Sequence, residues 1–469
     1  MRGSNVESLV SELKRLTGTR ESSEQEAAAR SPGAQYRLAL QGAKEIQDKA
    51  RQLLAELGPE KYLDDTQILG LLDRSPLSYQ LDDGTPVDTC GMMDRLTHVP
   101  EYLFAMGDVV REALGGLRAR QVRKIKVYGL GGSATPAAIA REIIGNSGGL
   151  GFEFEVVRRD SPSFGTVDGE TLLVFSSYSG NTEEVLHAFC LARRDSSATT
   201  SPMLAMSAGG RLQELACEYG VPWVRVPRRV LQPRESLVLQ TIALLHIVSE
   251  LEMPAGDQRS GPFRLDEGVL RGTADSLRCL LEEVKCETPL RQNRAKQIAV
   301  QLLCGDARCW EALDRKLPDW YPLIPVVMSS EPNAAVAYEF YTQLCEASKV
   351  LCHVATYPEA FHNLVECMRF SLLSQEGARW SLYFLESPDD ESRVAQRWCH
   401  TLSEVFPGLA HCSHSVTGET ALERSIAAYL FNAWVRLYVA FLNGVEPLPV
   451  PVMSHMKSHM AGVERSCSH

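Results

Sequence analysis

A chain of 469 residues, 44% of them apolar, holds enough hydrophobic material for two or three cores, because a single core stops growing at roughly 250–300 residues. Its formal net charge of −11 excludes the broad basic surface that nucleic acid or an anionic membrane rewards, so any phosphate must be held locally. Thirteen cysteines without a CxxC pair, and no apolar h-region after MRGSNVESLVSELKRL, predict reduced, mostly buried thiols in a cytoplasmic protein, and no run approaches the roughly 18 apolar residues of a membrane span.

Residues 1–35 are polar and poor in aromatics, the composition of a mobile tail. From 36 to 120, stretches such as GAKEIQDKARQLLAEL and VPEYLFAMGDVVREAL carry helical periodicity and predict a helical N-terminal segment. The texture changes at Lys124. KIKVYG, FEFEVV, TLLVFS, PMLAMS and PWVRV are short apolar runs separated by helical stretches, so 121–251 reads as a doubly wound α/β domain around a parallel sheet. The Gly- and Pro-rich EMPAGDQRSGPFRLDEG opens a connection and helix over 252–288. Alternation then resumes over 289–425, in NRAKQIAVQLL, IPVVMSS, AAVAYEFYTQLCEAS, VLCHVAT, WSLYFLES and DESRVAQRWCHTLSEVF. The two halves match in order of elements but not in sequence, as a tandem duplication would, and 426–469 adds closing helices.

The turn VFSSYSGNTEEVL joins a buried strand to a helix, the place where open parallel sheets bind ligands. A helix N-terminus offers unpaired N–H groups and partial positive charge; the hydroxyls of Ser177, Ser179 and Thr182 add donors, and Gly180 permits a tight turn. One serine or threonine there would be read as a helix cap; the cluster is read as an anion site. VYGLGGSATPAAIA makes a second such turn, with Gly129, Gly131, Gly132 and Ser133. No GK[ST] follows and Ala134 stands where a third glycine would be, which disfavours ATP and nicotinamide. Two neighbouring loops converging on one small phosphate is the reading that remains.

GGSA followed by SYSGNTEE resembles the sugar isomerase (SIS) domain. The closer resemblance is to the bifunctional phosphoglucose/phosphomannose isomerase family, and it runs from about Val87 to the C-terminus through VDTCGMMDRLTHVPEYLFAM, GLGGSA, SSYSGNTEEVL, MSAGGRLQELACEYGVPWVRVP, QPRESL, QLCEASKV, YPEAFHNLVE and FLNGVEPLPVPVMSHMK. The resemblance implies two tandem SIS domains, flavodoxin-like and flanked by helical extensions. It implies a homodimer that binds a small-molecule sugar phosphate and needs no metal and no other cofactor. By the same matching, Gly132, Ser133, Ser177, Ser179 and Thr182 hold the phosphate, and Arg234 of QPRESL lies near the sugar. Glu346 is the base for proton transfer between C1 and C2, His362 from the neighbouring subunit assists ring opening, and Lys457 polarises an oxygen near the ring or enediolate. His455 and His459, without carboxylate support, are read as exposed rather than as metal ligands.

Some positions depart from the family pattern. Thr135-Pro136-Ala137 replaces a glycine-rich step, although proline in a first helical turn is tolerated. Ala337-Tyr338-Glu339-Phe340-Tyr341 replaces a stretch that carries Arg and Lys, Ala347 replaces Asn after the base, and Phe361 and Leu364 stand for Asn and Glu beside His362. The expected function is reversible conversion of glucose 6-phosphate or mannose 6-phosphate to fructose 6-phosphate through a cis-enediolate; the alternative is a non-catalytic sugar phosphate sensor.

Overall fold

A computed structural model describes Asp88, residues 91–450 with interruptions, the longest at 252–262, 305–322 and 367–379, and Met453. The expected tail and much of the helical prelude, as well as His455, Lys457 and His459, lie outside the described residues. Three short helices come first: α1 (Met92–Thr97), α2 (Val99–Tyr102) and α3 (Gly107–Ala113).

The first sheet contains β1 (Lys124–Tyr128), β2 (Glu153–Val157), β3 (Thr171–Ser176), β4 (Met203–Ser207) and β5 (Trp223–Arg225). Its spatial order is β2-β1-β3-β4-β5 with every pair parallel, so the chain reverses direction across the sheet between β1 and β3. β3 and β4 are buried along their whole length, which is why they read as unbroken apolar runs rather than alternating ones. The crossovers are α4 (Thr135–Asn146), α5 (Glu183–Arg194) and α6 (Gly210–Tyr219), and α7 (Leu237–Glu250) closes the unit. Pro136 lies in the first turn of α4, and the helix forms as expected. Phe175 of β3 joins the layers, stacked on Tyr128 at 5.1 Å and edge-on to Phe189 of α5 at 5.3 Å.

After α8 (Glu267–Val284) and α9 (Arg294–Cys304), the second sheet contains β6 (Ile324–Ser329), β7 (His353–Thr356), β8 (Trp380–Glu386) and β9 (Ala410–Ser415), again all parallel, in the order β7-β6-β8-β9. Its helices are α10 (Ala334–Glu346) and α11 (Val394–Val405). The strand β9, sequence AHCSHS, carries no apolar run and was not expected; backbone pairing with β8 from Ser381↔Ala410 to Glu386↔Ser415 makes it a strand. The last described helix, α12 (Ala421–Leu442), is apolar nearly all round because α4, α8, α9 and α10 enclose it.

The two α/β halves are fastened where α4 meets α10. Glu142 of α4 accepts the Ala335 N–H at 2.8 Å, and the Asn146 side chain donates to the Pro332 carbonyl at 3.1 Å. Burial pushes the Glu142 carboxyl up to about 8. Of the described cysteines, Cys286, Cys352 and Cys412 are buried while Cys217 and Cys279 are exposed, so burial is a weaker rule for these thiols than composition implied.

Candidate functional site

The direction reversal of the first sheet lies between β1 and β3, and the turns beyond these two strands are GLGGSA and SYSGNT. The turns touch: the Tyr178 N–H donates to Ser133 Oγ at 3.0 Å. Within the second turn, Ser177 Oγ lies 2.8 Å from Thr182 Oγ1 and accepts the Gly180 N–H at 3.2 Å, while Ser179 Oγ accepts the Asn181 N–H at 3.2 Å. Thr182 is the N-cap of α5, but its side chain makes no capping bond. The hydroxyl therefore turns toward Ser177, and the first turn of α5 keeps its N–H groups without a side-chain cap.

Gly180 adopts φ +71° and packs so closely that a methyl group on it would sit 1.7 Å from the Gly209 carbonyl oxygen. No other residue fits. Asn181 answers the rest of the motif: its side-chain oxygen accepts the Arg211 N–H at 3.0 Å at the start of α6, tying the serine-rich turn to the SAGGR turn beyond β4. A hydrogen-bonded chain from Ser176 through Gln240 to Ser236, at 3.1 and 2.7 Å, then holds the QPRES turn beside the end of β3. Sequence reading passed over Gln240, because a glutamine inside an apolar helix carries no motif.

QPRES delivers Arg234 to the boundary between the halves. It is 5% exposed, not the surface arginine that its neighbours Arg228 and Arg229 suggest when it is read alone. A methyl group on Gly132 would stand 3.3 Å from the Arg234 backbone nitrogen, so the arginine begins against the glycine turn beyond β1. Its Nη1 donates to Glu346 Oε2 at 3.0 Å, and Nη2 to the Pro447 carbonyl at 3.1 Å and the Leu448 carbonyl. Burial, with Arg436 nearby, pulls the Arg234 guanidinium below its ordinary value while Glu346 opposes that. Glu346 ends α10 and keeps its side chain 37% exposed. It is neither buried nor merely solvated, and a partly exposed carboxylate with one oxygen on an arginine has the other free for chemistry.

Lys349, one turn later, donates to the Glu346 carbonyl and to the Pro449 carbonyl at 2.6 Å. Arg234 and Lys349 thus anchor the PLP segment that precedes Lys457. His362, at the end of a 3₁₀ turn (Glu359–His362), is exposed beside exposed Asn363. The substituted Phe361 is buried, stacked on Trp398 at 4.1 Å; where the family pattern has a polar side chain next to the histidine, this chain has core. Ala347 is fully buried as well. Sequence reading also missed Arg436 of α12, 0% exposed, which donates to Gln343 Oε1 at 2.7 Å, and Glu339, 2% exposed, one of the substituted positions.

A tandem pair of parallel α/β sheets, with serine-lined turns at the reversal point of the first, is the architecture of tandem SIS domains. Residues 317–460 match the family model described as the bacterial phospho-glucose isomerase C-terminal SIS domain. The chain is 26% identical over 382 residues to the bifunctional phosphoglucose/phosphomannose isomerase of Caldicellulosiruptor bescii, covering 80% of this chain and all of that one. The enzyme of the same name from Thermoplasma volcanium is 26% identical over 77% of this chain and 99% of its own length. Among solved structures, a hypothetical protein from Thermus thermophilus superposes with TM-score 0.58 at 17% identity, over 84% of this chain and 94% of that one. The tagatose-6-phosphate ketose/aldose isomerase of Escherichia coli does so with TM-score 0.53 at 13% identity, over 79% and 96%. The chain therefore has the SIS fold and resembles the bifunctional phosphoglucose/phosphomannose isomerase family over most of its length.

Proposed function

We propose that the protein is an aldose–ketose isomerase that interconverts glucose 6-phosphate, mannose 6-phosphate or both with fructose 6-phosphate through a cis-enediolate. One observation carries this reading: the Glu346 carboxylate of the second half is joined at 3.0 Å to Arg234, whose backbone packs against the Gly132 turn of the first half. Ser133, Ser177, Ser179 and Thr182 hold the phosphate at the uncapped start of α5. Remote binding there positions C1 and C2 against Glu346, which moves the proton, while Arg234 offsets the negative charge that develops. Because C2 is trigonal in the enediolate, one base serves both epimers. His362 assists ring opening from the second copy of a cytoplasmic homodimer, its exposure being in keeping with a role toward a neighbour, and Lys457 polarises the substrate oxygen.

The test is turnover of fructose 6-phosphate by purified protein, with coupled detection of glucose 6-phosphate and mannose 6-phosphate and with Glu346→Gln as control. Undiminished turnover in Glu346→Gln removes the assignment of the base. An inert wild type whose melting temperature rises with fructose 6-phosphate is instead a sugar phosphate sensor.

A further inference from the structure

Behind Glu346 lies a buried charge compartment that the reaction as described does not use. Glu339 and Glu346 stand seven residues apart on α10, hence on one face of the helix. Glu339 is 2% exposed, and neither of its carboxylate oxygens has a hydrogen-bond partner. Arg436, fully enclosed on α12, spends Nη1 on Gln343 and leaves Nε and Nη2 without partners. The same arginine's backbone carbonyl accepts the Ser348 hydroxyl at 2.6 Å, so Arg436 grips the chain just before and just after Glu346. The charged groups whose fields reach Glu339 are Arg436, Glu346 and Arg234, and Tyr429 of α12 is the phenol facing it. Two guanidiniums and two carboxylates thus share one compartment, and only the Arg234–Glu346 pair is closed by a direct bond.

A carboxylate enclosed without a hydrogen bond costs stability, so its presence calls for a cause other than folding. The chemistry supplies one. When Glu346 takes the proton from the sugar it loses its charge; Arg234 then keeps only the more remote field of Glu235, and Arg436 has no carboxylate left but Glu339. An ionised Glu339 keeps one counter-charge in place at that moment, a fixed field that favours the protonated base and costs no reorganisation.

Resting on the isomerase reading, we infer that Glu339, held opposite Arg436, is a positioning residue for proton transfer: its carboxylate supplies the compensating charge that lets Glu346 accept a proton between two buried arginines. Burial pushes the Glu339 carboxyl up to about 7, against the opposing pull of Arg436, so this counter-charge switches on within the working pH range.

The experiment compares wild type, Glu339→Gln and Glu339→Asp in the coupled isomerase assay from pH 5.5 to 9, with melting curves of each. Wild-type kcat rises through a step near pH 7. Glu339→Gln loses that step and about tenfold in kcat at pH 8 with KM within about twofold, because the phosphate grip is untouched, whereas Glu339→Asp keeps the step. Removing the charge also leaves the melting temperature at pH 8 at or above that of wild type. A wild-type pH profile in Glu339→Gln, or a loss of kcat matched by a lower melting temperature, overturns the inference while leaving the isomerase reading standing. An inert wild type ends both.

Discussion

The two sheets repeat one topology, and each sends its first strand through a 3₁₀ turn into a long helix: Gly131–Ser133 into α4, Glu331–Asn333 into α10. The turns have opposite fates. In the first half the loop is glycine and serine, and the neighbouring helix α5 starts without a side-chain cap. In the second, the start of α10 is already occupied by the Glu142 carboxylate reaching over from α4. The start of α10 is thus taken up by protein and docks the halves, while the far end of the same helix presents Glu346. Duplication of a fold does not duplicate its site.

The largest expected effect separates grip from chemistry. On the proposed division of labour, Glu346→Gln loses about 10³-fold in kcat in the coupled assay yet still gains melting temperature from fructose 6-phosphate. If substrate no longer protects the variant, the division of labour is wrong.

Gly180→Ala comes next, because its methyl group would collide with the Gly209 carbonyl at 1.7 Å and force a residue with a side chain into φ +71°. Stability falls by at least about 2 kcal/mol, and any folded fraction shows a raised KM rather than a lowered kcat. A wild-type KM in this variant would show that the serine turn does not bind substrate.

Glu142 sharpens the contrast through pH. Its folded value, raised to about 8 by burial, lies above the ordinary 4.5, so the folded state holds a proton that the unfolded chain has lost. Stability attributable to this group is therefore highest below about pH 4.5, falls as pH rises from there to about 8, and is flat beyond. Glu142→Gln removes that slope: its melting temperature, relative to wild type, climbs between pH 5 and 8. A constant difference would mean that the docking carboxylate is ionised throughout.

The smallest effect concerns thiols. Cys345 Sγ lies 3.6 Å from Cys352 Sγ, and that contact draws the Cys345 thiol down to about 7 while pushing Cys352 up. At pH 7.5 iodoacetamide labels Cys345 at least about tenfold faster than Cys352, as peptide mass spectrometry will resolve. Equal rates would remove the polarised pair beside Glu346.

The first half was largely legible before any coordinates, because its signals are local. Glycine spacing, clustered hydroxyls and strand-to-helix texture all act over a dozen residues, and Ser133, Ser177 and Thr182 meet as that texture implies. The second half was less legible. β9 has no apolar run, Phe361 reads as a disturbance of a polar shell but packs into a core, and Glu339 looks like one more helical glutamate until its burial is known.

Local pattern alone determined the alternation of strands and helices, the two parallel sheets and the position of the glycine- and serine-rich turns, since these depend on short-range sterics and periodicity. Tertiary structure alone decided that Arg234 turns inward to Glu346, that Glu142 reaches the start of α10 and that Glu339 and Arg436 are sealed inside. Each of those outcomes depends on which charges a distant segment excludes from water, and no run of neighbouring residues encodes that.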